Sequence, residues 1–162
     1  MEQLTMFPPP YKYLIDASSI FAQKITDSMP RAVHNSMWKR IDESIREKTI
    51  VTCSEIEEEV HGDKVVGRWL IELQCDILQI DDEVQYNVRR IVTEHPQMIA
   101  FSSKNGSSSG DAFLIATAMK YGLIIITEEN KTKNNKIPII CSDYGIRTVN
   151  LTELCIEEGW RF

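Results

Sequence analysis

Short runs that are apolar at every position alternate along this chain with longer segments that are apolar on one face only. The first pattern indicates strands buried on both sides, as in parallel sheets, and the second indicates helices. The predicted strands are residues 11–15, 49–53, 76–80, 123–127 and 148–150. The predicted helices are residues 18–24, 34–48, 54–61, 65–73, 82–94 and 111–121, with a last helix from about residue 152. This alternation predicts a three-layer α/β/α sandwich around a mostly parallel sheet.

The size of the chain favours one domain. It has 162 residues, of which 43% are hydrophobic, and this is enough for one core but not for two. We therefore expect a single domain over residues 1–162, with residues 1–10 as a tag-like N-terminal segment that ends in three prolines. No run approaches the roughly 18 apolar residues of a membrane-spanning helix. The first residues lack the pattern of a secretory signal, so a cytoplasmic location is expected.

The cysteines do not have the spacing of a metal site. The chain has four of them, widely separated, and none forms a Cys-x-x-Cys pair or lies near a histidine in sequence. Structural zinc sites draw on closely spaced cysteine and histidine pairs. The pattern therefore favours free thiols in a reducing compartment.

Several residue types mark the ends of the predicted helices. Ser54, with Glu57 three positions later, has the pattern of a capping box. A serine is also expected to cap the helix that begins near Ser18, and Gly122 has the position of a C-terminal helix cap. Residues 102–110 are rich in serine and glycine, which predicts a polar loop.

Four acidic residues follow predicted strands or lie near the starts of predicted helices. Asp16 directly follows the first strand, and Glu129 comes two residues after the fourth. Asp111 begins the most apolar helix, and Glu59 lies in the second turn of the helix after the second strand. Right-handed crossovers bring strand ends and the following helix starts to one edge of a parallel sheet, where ligands bind. We therefore expect all four carboxylates at the same edge.

The choice of Glu59 among neighbouring glutamates follows from the helical angle of about 100° per residue. If Ile56 and Val60 form the inward stripe, Glu59 lies beside them and Glu58 points to the opposite side. Glu59 can therefore face a cleft, and Glu58 replaces it if the phase of the helix is different.

Each candidate also has an ordinary structural explanation. Asp16 and Asp111 could be turn or helix-capping residues. Glu59 could belong to a solvated acidic face, and Glu129 could be a solvated loop residue. None of these alternatives explains why four candidates share one predicted edge.

The net charge of −6 and the clustering of carboxylates both call for a cation. Carboxylates held together repel one another, and a hard cation with oxygen ligands, Mg²⁺ or Mn²⁺, relieves that repulsion. Such an ion also reverses the local charge, which an acidic protein needs if phosphate is its substrate. Ser18 and Thr127 carry hydroxyls near the same edge and could orient a water or a carboxylate, or serve only as capping and turn residues.

Three stretches resemble the motifs of PIN domains. Residues 13–19, YLIDASS, resemble the opening strand that ends in Asp followed by a small hydroxyl or amide residue. Residues 110–118, GDAFLIATA, resemble the central Asp-x-x-(apolar)-Ala-x-Ala helix, and residues 126–129, ITEE, resemble the Thr-x-Asp step with Glu129 in place of aspartate. The end, residues 157–162, EEGWRF, resembles a bacterial and archaeal PIN-like subfamily with a Glu-Gly-Trp tail.

The resemblance implies a ribonuclease that depends on Mg²⁺ or Mn²⁺, often the VapC-like toxin of a type II toxin–antitoxin pair. It also implies a homodimer, and an antitoxin whose segment occludes the acidic cleft. On this basis we expect Asp16, Glu59 and Asp111 to hold a cation, with Glu129 supporting it or a second ion.

Other functions fit the same fold less well. An aspartyl phosphatase expects a second Asp two residues after the first, where this chain has Ser18, and a receiver domain needs an acidic pair that is absent. A dinucleotide site needs a glycine-rich turn after the first strand, and residues 16–19 contain no glycine. The main alternative is a catalytically inactive PIN-like scaffold that binds RNA or a protein partner.

Overall fold

The computed structural model describes residues 10–100, 109–129, 131–132 and 136–162. Residues 1–9 of the tag-like segment and residues 102–108 of the expected polar loop lie outside this part of the chain. Within it, five strands form one parallel sheet, in the order β3-β2-β1-β4-β5. The strands are β1 Tyr13–Ile15, β2 Ile50–Cys53, β3 Ile77–Leu78, β4 Ile124–Ile126 and β5 Thr148–Val149.

Helices connect the strands and flank the sheet. They are α1 Ala17–Phe21, α2 Asn35–Arg46, α3 Ser54–Val60, α4 Lys64–Glu72, α5 Asp82–Glu94, α6 Gln97–Ala100, α7 Ser109–Tyr121, α8 Ile137–Ser142 and α9 Leu151–Glu158. The predicted α/β class with a mostly parallel sheet is confirmed. No helix in the described part of the chain is both long and apolar enough to cross a membrane.

The strand order reverses its direction at the centre of the sheet. From β1 the chain moves outward through β2 to β3, and it then returns to the other side of β1 to form β4 and β5. The crevice outside the carboxyl ends of β1 and β4 is therefore the topological switch point, where open α/β sheets bind ligands. Asp16 and Thr127 are the first residues after these two strands.

The apolar patterns of the helices decide how each one packs. On α2 the stripe Met37, Trp38, Ile41 and Ile45 is buried, as its spacing predicts. Helix α7 is apolar on nearly every side because it packs against α5, α3, β2 and β4. Little of the surface of α7 is therefore exposed to solvent.

Two predicted helix caps are wrong. The first residue of α3 is Ser54, and its cap is Cys53, whose side chain makes no capping hydrogen bond. The capping box therefore does not form, since Ser54 is already helical. Helix α1 begins at Ala17 and is capped by the carboxylate of Asp16 instead of by Ser18. Gly122 has the expected left-handed backbone, with φ of 67°.

Other differences concern boundaries and short elements. The strands are shorter than the apolar runs that predict them, and α7 begins two residues early, so Gly110 is helical. The run from Ile137 to Ile140, which had no assigned structure, is the start of α8. Pro138 is compatible with that helix because the first turn has no internal partner for its N–H groups.

Candidate functional site

Asp16 lies at the carboxyl end of the central strand and is 3% exposed. Its backbone N–H donates to the carbonyl of Ile126 at 2.9 Å, which ties it to β4. Its Oδ1 accepts the Ala17 N–H at 2.8 Å, so the carboxylate begins α1. One residue is thus fixed to two strands and a helix.

Two hydroxyls hold the other oxygen of this carboxylate. Ser18 Oγ and Thr127 Oγ1 each donate to Asp16 Oδ2 at 2.8 Å. The same hydroxyl oxygens accept backbone N–H groups, Ser18 from Glu128 at 3.0 Å and Thr127 from Glu129 at 3.2 Å. The peptides after β4 therefore orient the hydroxyls, and the hydroxyls orient Asp16.

Burial makes the charged form of Asp16 unfavourable. It raises the pKa of this carboxyl, although the bonds from Ser18, Thr127 and the Ala17 N–H oppose the rise by favouring the charged form. A carboxylate kept in such a place needs positive charge nearby for full ionisation.

Glu59 and Glu129 respond to the charge of Asp16. Burial raises the pKa of Glu129, and the charges of Asp16 and Glu59 raise it further. Crowding by protein atoms raises the pKa of Glu59, and Asp16 adds to this rise. The Glu59 side chain is nevertheless exposed, so water screens the repulsion and its effect on stability is small. Asp16, Glu59 and Glu129 are therefore near enough to repel one another.

Asp111 is 6% exposed and lies in the first turn of α7. Helix α7 ends at Tyr121, and two residues separate it from the start of β4, so its C-terminus is at the amino edge of the sheet. With about 1.5 Å of rise per residue, a helix of this length runs back across the sheet and carries its first turn to the carboxyl edge. Asp111 is placed at the predicted edge by this geometry.

The carboxylates do not already surround one point. In the described ranges, no three side chains of aspartate, glutamate, histidine or cysteine are arranged to hold a metal ion. The donor chemistry still suits a hard cation, because these are oxygen ligands whose mutual repulsion a cation would relieve. Glu59 has three side-chain torsions with which it could turn towards Asp16, whereas the carboxylate of Glu129 accepts the Ile137 N–H at 3.0 Å.

Two residues near the site were not predicted from the sequence. Glu128 is half-buried, and its Oε1 accepts the Leu151 N–H at 3.4 Å at the start of α9. Cys141 is a buried thiol whose pKa is raised by burial and then by the charges of Asp16 and Glu129. Adjacency to Glu129 was a weak signal for Glu128, and nothing in the sequence pointed to Cys141.

The model of a family described as a domain of unknown function, DUF4411, matches residues 13–162. The chain belongs to the DUF4411 family. No curated protein matches it significantly.

Solved structures share the fold of this DUF4411 protein. PAE2754 from Pyrobaculum aerophilum is 17% identical, with a TM-score of 0.54 over 94% of this chain and 98% of that one. VapBC2 from Rickettsia felis, solved bound to a DNA fragment from their promoter, is 15% identical, with a TM-score of 0.51 over 85% of this chain and 97% of that one. At such low identity the likeness concerns the fold alone, and it agrees with the PIN-like architecture.

Proposed function

We propose that this DUF4411 protein is a Mg²⁺- or Mn²⁺-dependent endoribonuclease that hydrolyses RNA phosphodiesters. The observation that carries the proposal is the setting of Asp16. It is a buried carboxylate at the topological switch point, held by two hydroxyls and repelled by Glu59 and Glu129. Capping of α1 explains one oxygen of this carboxylate, and a cation or a substrate group that neutralises the charge would explain why an acid with a raised pKa lies at this edge.

Asp16, Glu59 and Asp111 would hold the cation, with Glu129 in support. A bound Mg²⁺ or Mn²⁺ would lower the pKa of a water molecule and offset the charge that develops on the phosphodiester. Ser18 and Thr127 contribute by fixing Asp16 Oδ2 in one direction, since a preorganised carboxylate does not have to be ordered during the reaction. The protein has a net charge of −6, so phosphate would approach this edge only when the acids are neutralised.

The family resemblance and the likeness to VapBC2 support a proposal about the partner. We propose that the chain is the toxin of a type II toxin–antitoxin pair, that it acts in the cytoplasm as a homodimer, and that an antitoxin segment covers the acidic cleft. A search for a small neighbouring reading frame whose product co-purifies with this protein tests the partner directly.

A second candidate is an inactive PIN-like scaffold that binds RNA or a protein partner. Two observations favour it: within the described residues no three ligating side chains are arranged around one point, and Glu129 is already bonded to the Ile137 N–H at 3.0 Å. A scaffold requires no convergence of the carboxylates.

An RNA-cleavage assay with Mg²⁺ or Mn²⁺ separates the two candidates. We expect the wild type to cleave RNA. The cleavage rate should fall at least about a hundredfold in Asp16→Asn and in Asp111→Asn, which is the size of the loss when other enzymes lose a group that stabilises charge in the transition state. Glu59→Gln should lose activity as well, and Glu58→Gln, its matched control on α3, should retain it. Unchanged cleavage in both aspartate variants would show that the site is misassigned, and no cleavage by a metal-loaded wild type would favour the scaffold.

A further inference from the structure

Two consecutive glutamates after β4 each reach the first backbone N–H of a later helix. Glu129 Oε1 accepts the Ile137 N–H of α8 at 3.0 Å, and Glu128 Oε1 accepts the Leu151 N–H of α9 at 3.4 Å. Helix α9 also has a complete capping box, formed by Asn150 and Glu153. The bond to Glu128 is long at 3.4 Å and adds to a cap that α9 already has. The bond to Glu129 has no such counterpart at α8.

Helix α8 depends on Glu129 because its own sequence provides no cap. Lys136 occupies the cap position and makes no side-chain bond to the helix. Ile137 is fully buried, and a buried N–H without a partner is costly. Pro138 has no N–H to share the role. The carboxylate of Glu129, eight residues away in sequence, thus does what an aspartate or serine at the cap normally does.

The length of the glutamate side chain fits this contact. Residues 126–129 resemble a PIN motif that has aspartate at the last position. An aspartate here would hold its carboxyl about 1.5 Å closer to the backbone, the length of one carbon–carbon bond. The bond of 3.0 Å to Ile137 would then exceed the range of a hydrogen bond. A glutamate at position 129 therefore reaches the Ile137 N–H, and an aspartate would not.

The same residue also supports Asp16. The Glu129 N–H donates to Thr127 Oγ1 at 3.2 Å, and Thr127 Oγ1 donates to Asp16 Oδ2 at 2.8 Å. A side chain anchored at α8 therefore holds the peptide that orients the Thr127 hydroxyl. We infer that Glu129 is a positioning residue that fastens α8 to the end of β4, and that it is not a direct ligand of the cation. The second half of this inference rests on the proposed function.

Two variants separate a cap from a ligand, because they change different properties of the side chain. Glu129→Gln keeps the length and an accepting oxygen but removes the charge. Glu129→Asp keeps the charge but removes the length. The measurements are amide hydrogen exchange at Ile137 and binding of Mn²⁺ by calorimetry, with Asp16→Asn as the reference for loss of a ligand.

If Glu129 is a cap, exchange at Ile137 should be at least about tenfold faster in Glu129→Asp, and within about threefold of the wild type in Glu129→Gln. The dissociation constant for Mn²⁺ should change by less than about fivefold in Glu129→Gln, whereas Asp16→Asn should lose binding. Loss of Mn²⁺ binding in Glu129→Gln as complete as in Asp16→Asn, or unchanged exchange in Glu129→Asp, would overturn the inference. A wild type that binds no Mn²⁺ would refute the proposed function, and the exchange result would still decide whether Glu129 caps α8.

Discussion

Replacing Thr127 with valine removes one donor from Asp16 and preserves the shape of the side chain. Thr127 is 2% exposed, and its Oγ1 donates to Asp16 Oδ2 at 2.8 Å. In the variant a methyl group faces the carboxylate, and no water can readily replace the hydroxyl in a buried position. The Glu129 N–H loses its acceptor as well.

The size of the effect follows from the charge of the acceptor. A hydrogen bond to a charged group contributes about 1.5–3 kcal/mol. For a domain of this size each kcal/mol lowers Tm by about 2–4 °C, so Thr127→Val should melt about 3–12 °C below the wild type.

The effect should depend on pH in a defined direction. The bonds from Thr127 and Ser18 lower the pKa of Asp16 against the larger effect of burial, because they favour its charged form. Loss of the bond from Thr127 therefore raises the pKa of Asp16 further. More Asp16 is ionised at high pH, so the destabilisation should be larger near pH 8 than near pH 5.

Thermal unfolding of the metal-free protein at the two pH values is the assay, with Thr117→Val as the matched control. Thr117 is 1% exposed, and its hydroxyl donates to the neutral carbonyl of Phe113 at 2.7 Å. The control should lose only about 0.5–1.5 kcal/mol, with the same loss at both pH values. An equal, pH-independent loss in the two variants would refute the idea that Thr127 stabilises an ionised Asp16.

Three further predictions concern the site and the C-terminal helix. Glu59→Gln should weaken Mn²⁺ binding in calorimetry at least tenfold while Glu58→Gln does not, and equal effects would mean that the wrong face of α3 was chosen. Burial raises the pKa of Asp16, so this carboxyl contributes stability that is present below about pH 4 and lost as pH rises through its folded pKa. In metal-free urea titrations the unfolding free energy of Asp16→Asn, minus that of the wild type, should therefore increase from about pH 4 to pH 8, and a decrease would contradict this. Gly159 has φ of 70° with open space around its Cβ position, so Gly159→Ala should cost about 1–2 kcal/mol from backbone strain alone, and an unchanged Tm would show that this cap does not matter.

The layers of the fold could be predicted because a strand buried on both faces is apolar at every position. The strands at Leu14 and Ile125 are apolar throughout, and α2 keeps its stripe at helical spacing. Boundaries were less predictable, since an apolar residue at the end of a run can pack on the sheet without belonging to it. The run beginning at Ile137 could not be assigned from sequence. Four apolar positions with a proline are compatible with a strand and with a first helical turn.

The candidate site was predictable where topology alone places a residue. Asp16 follows the central strand, so the switch point could be located without coordinates. Its capping of α1 was one of the open alternatives, and the structure shows that the cap and the acidic edge involve the same carboxylate. The contact of Glu129 with Ile137 could not be predicted, because it depends on where the chain returns after residues 130–136.

Titration of Mn²⁺ into the wild type and into Asp16→Asn by calorimetry tests the acidic site most directly. Saturable binding by the wild type at millimolar Mn²⁺ or below, and its loss in Asp16→Asn, is the predicted result. The absence of binding by the wild type at millimolar Mn²⁺, or equal binding by the two proteins, would contradict the proposal that Asp16 lies at the centre of a metal-dependent nuclease site.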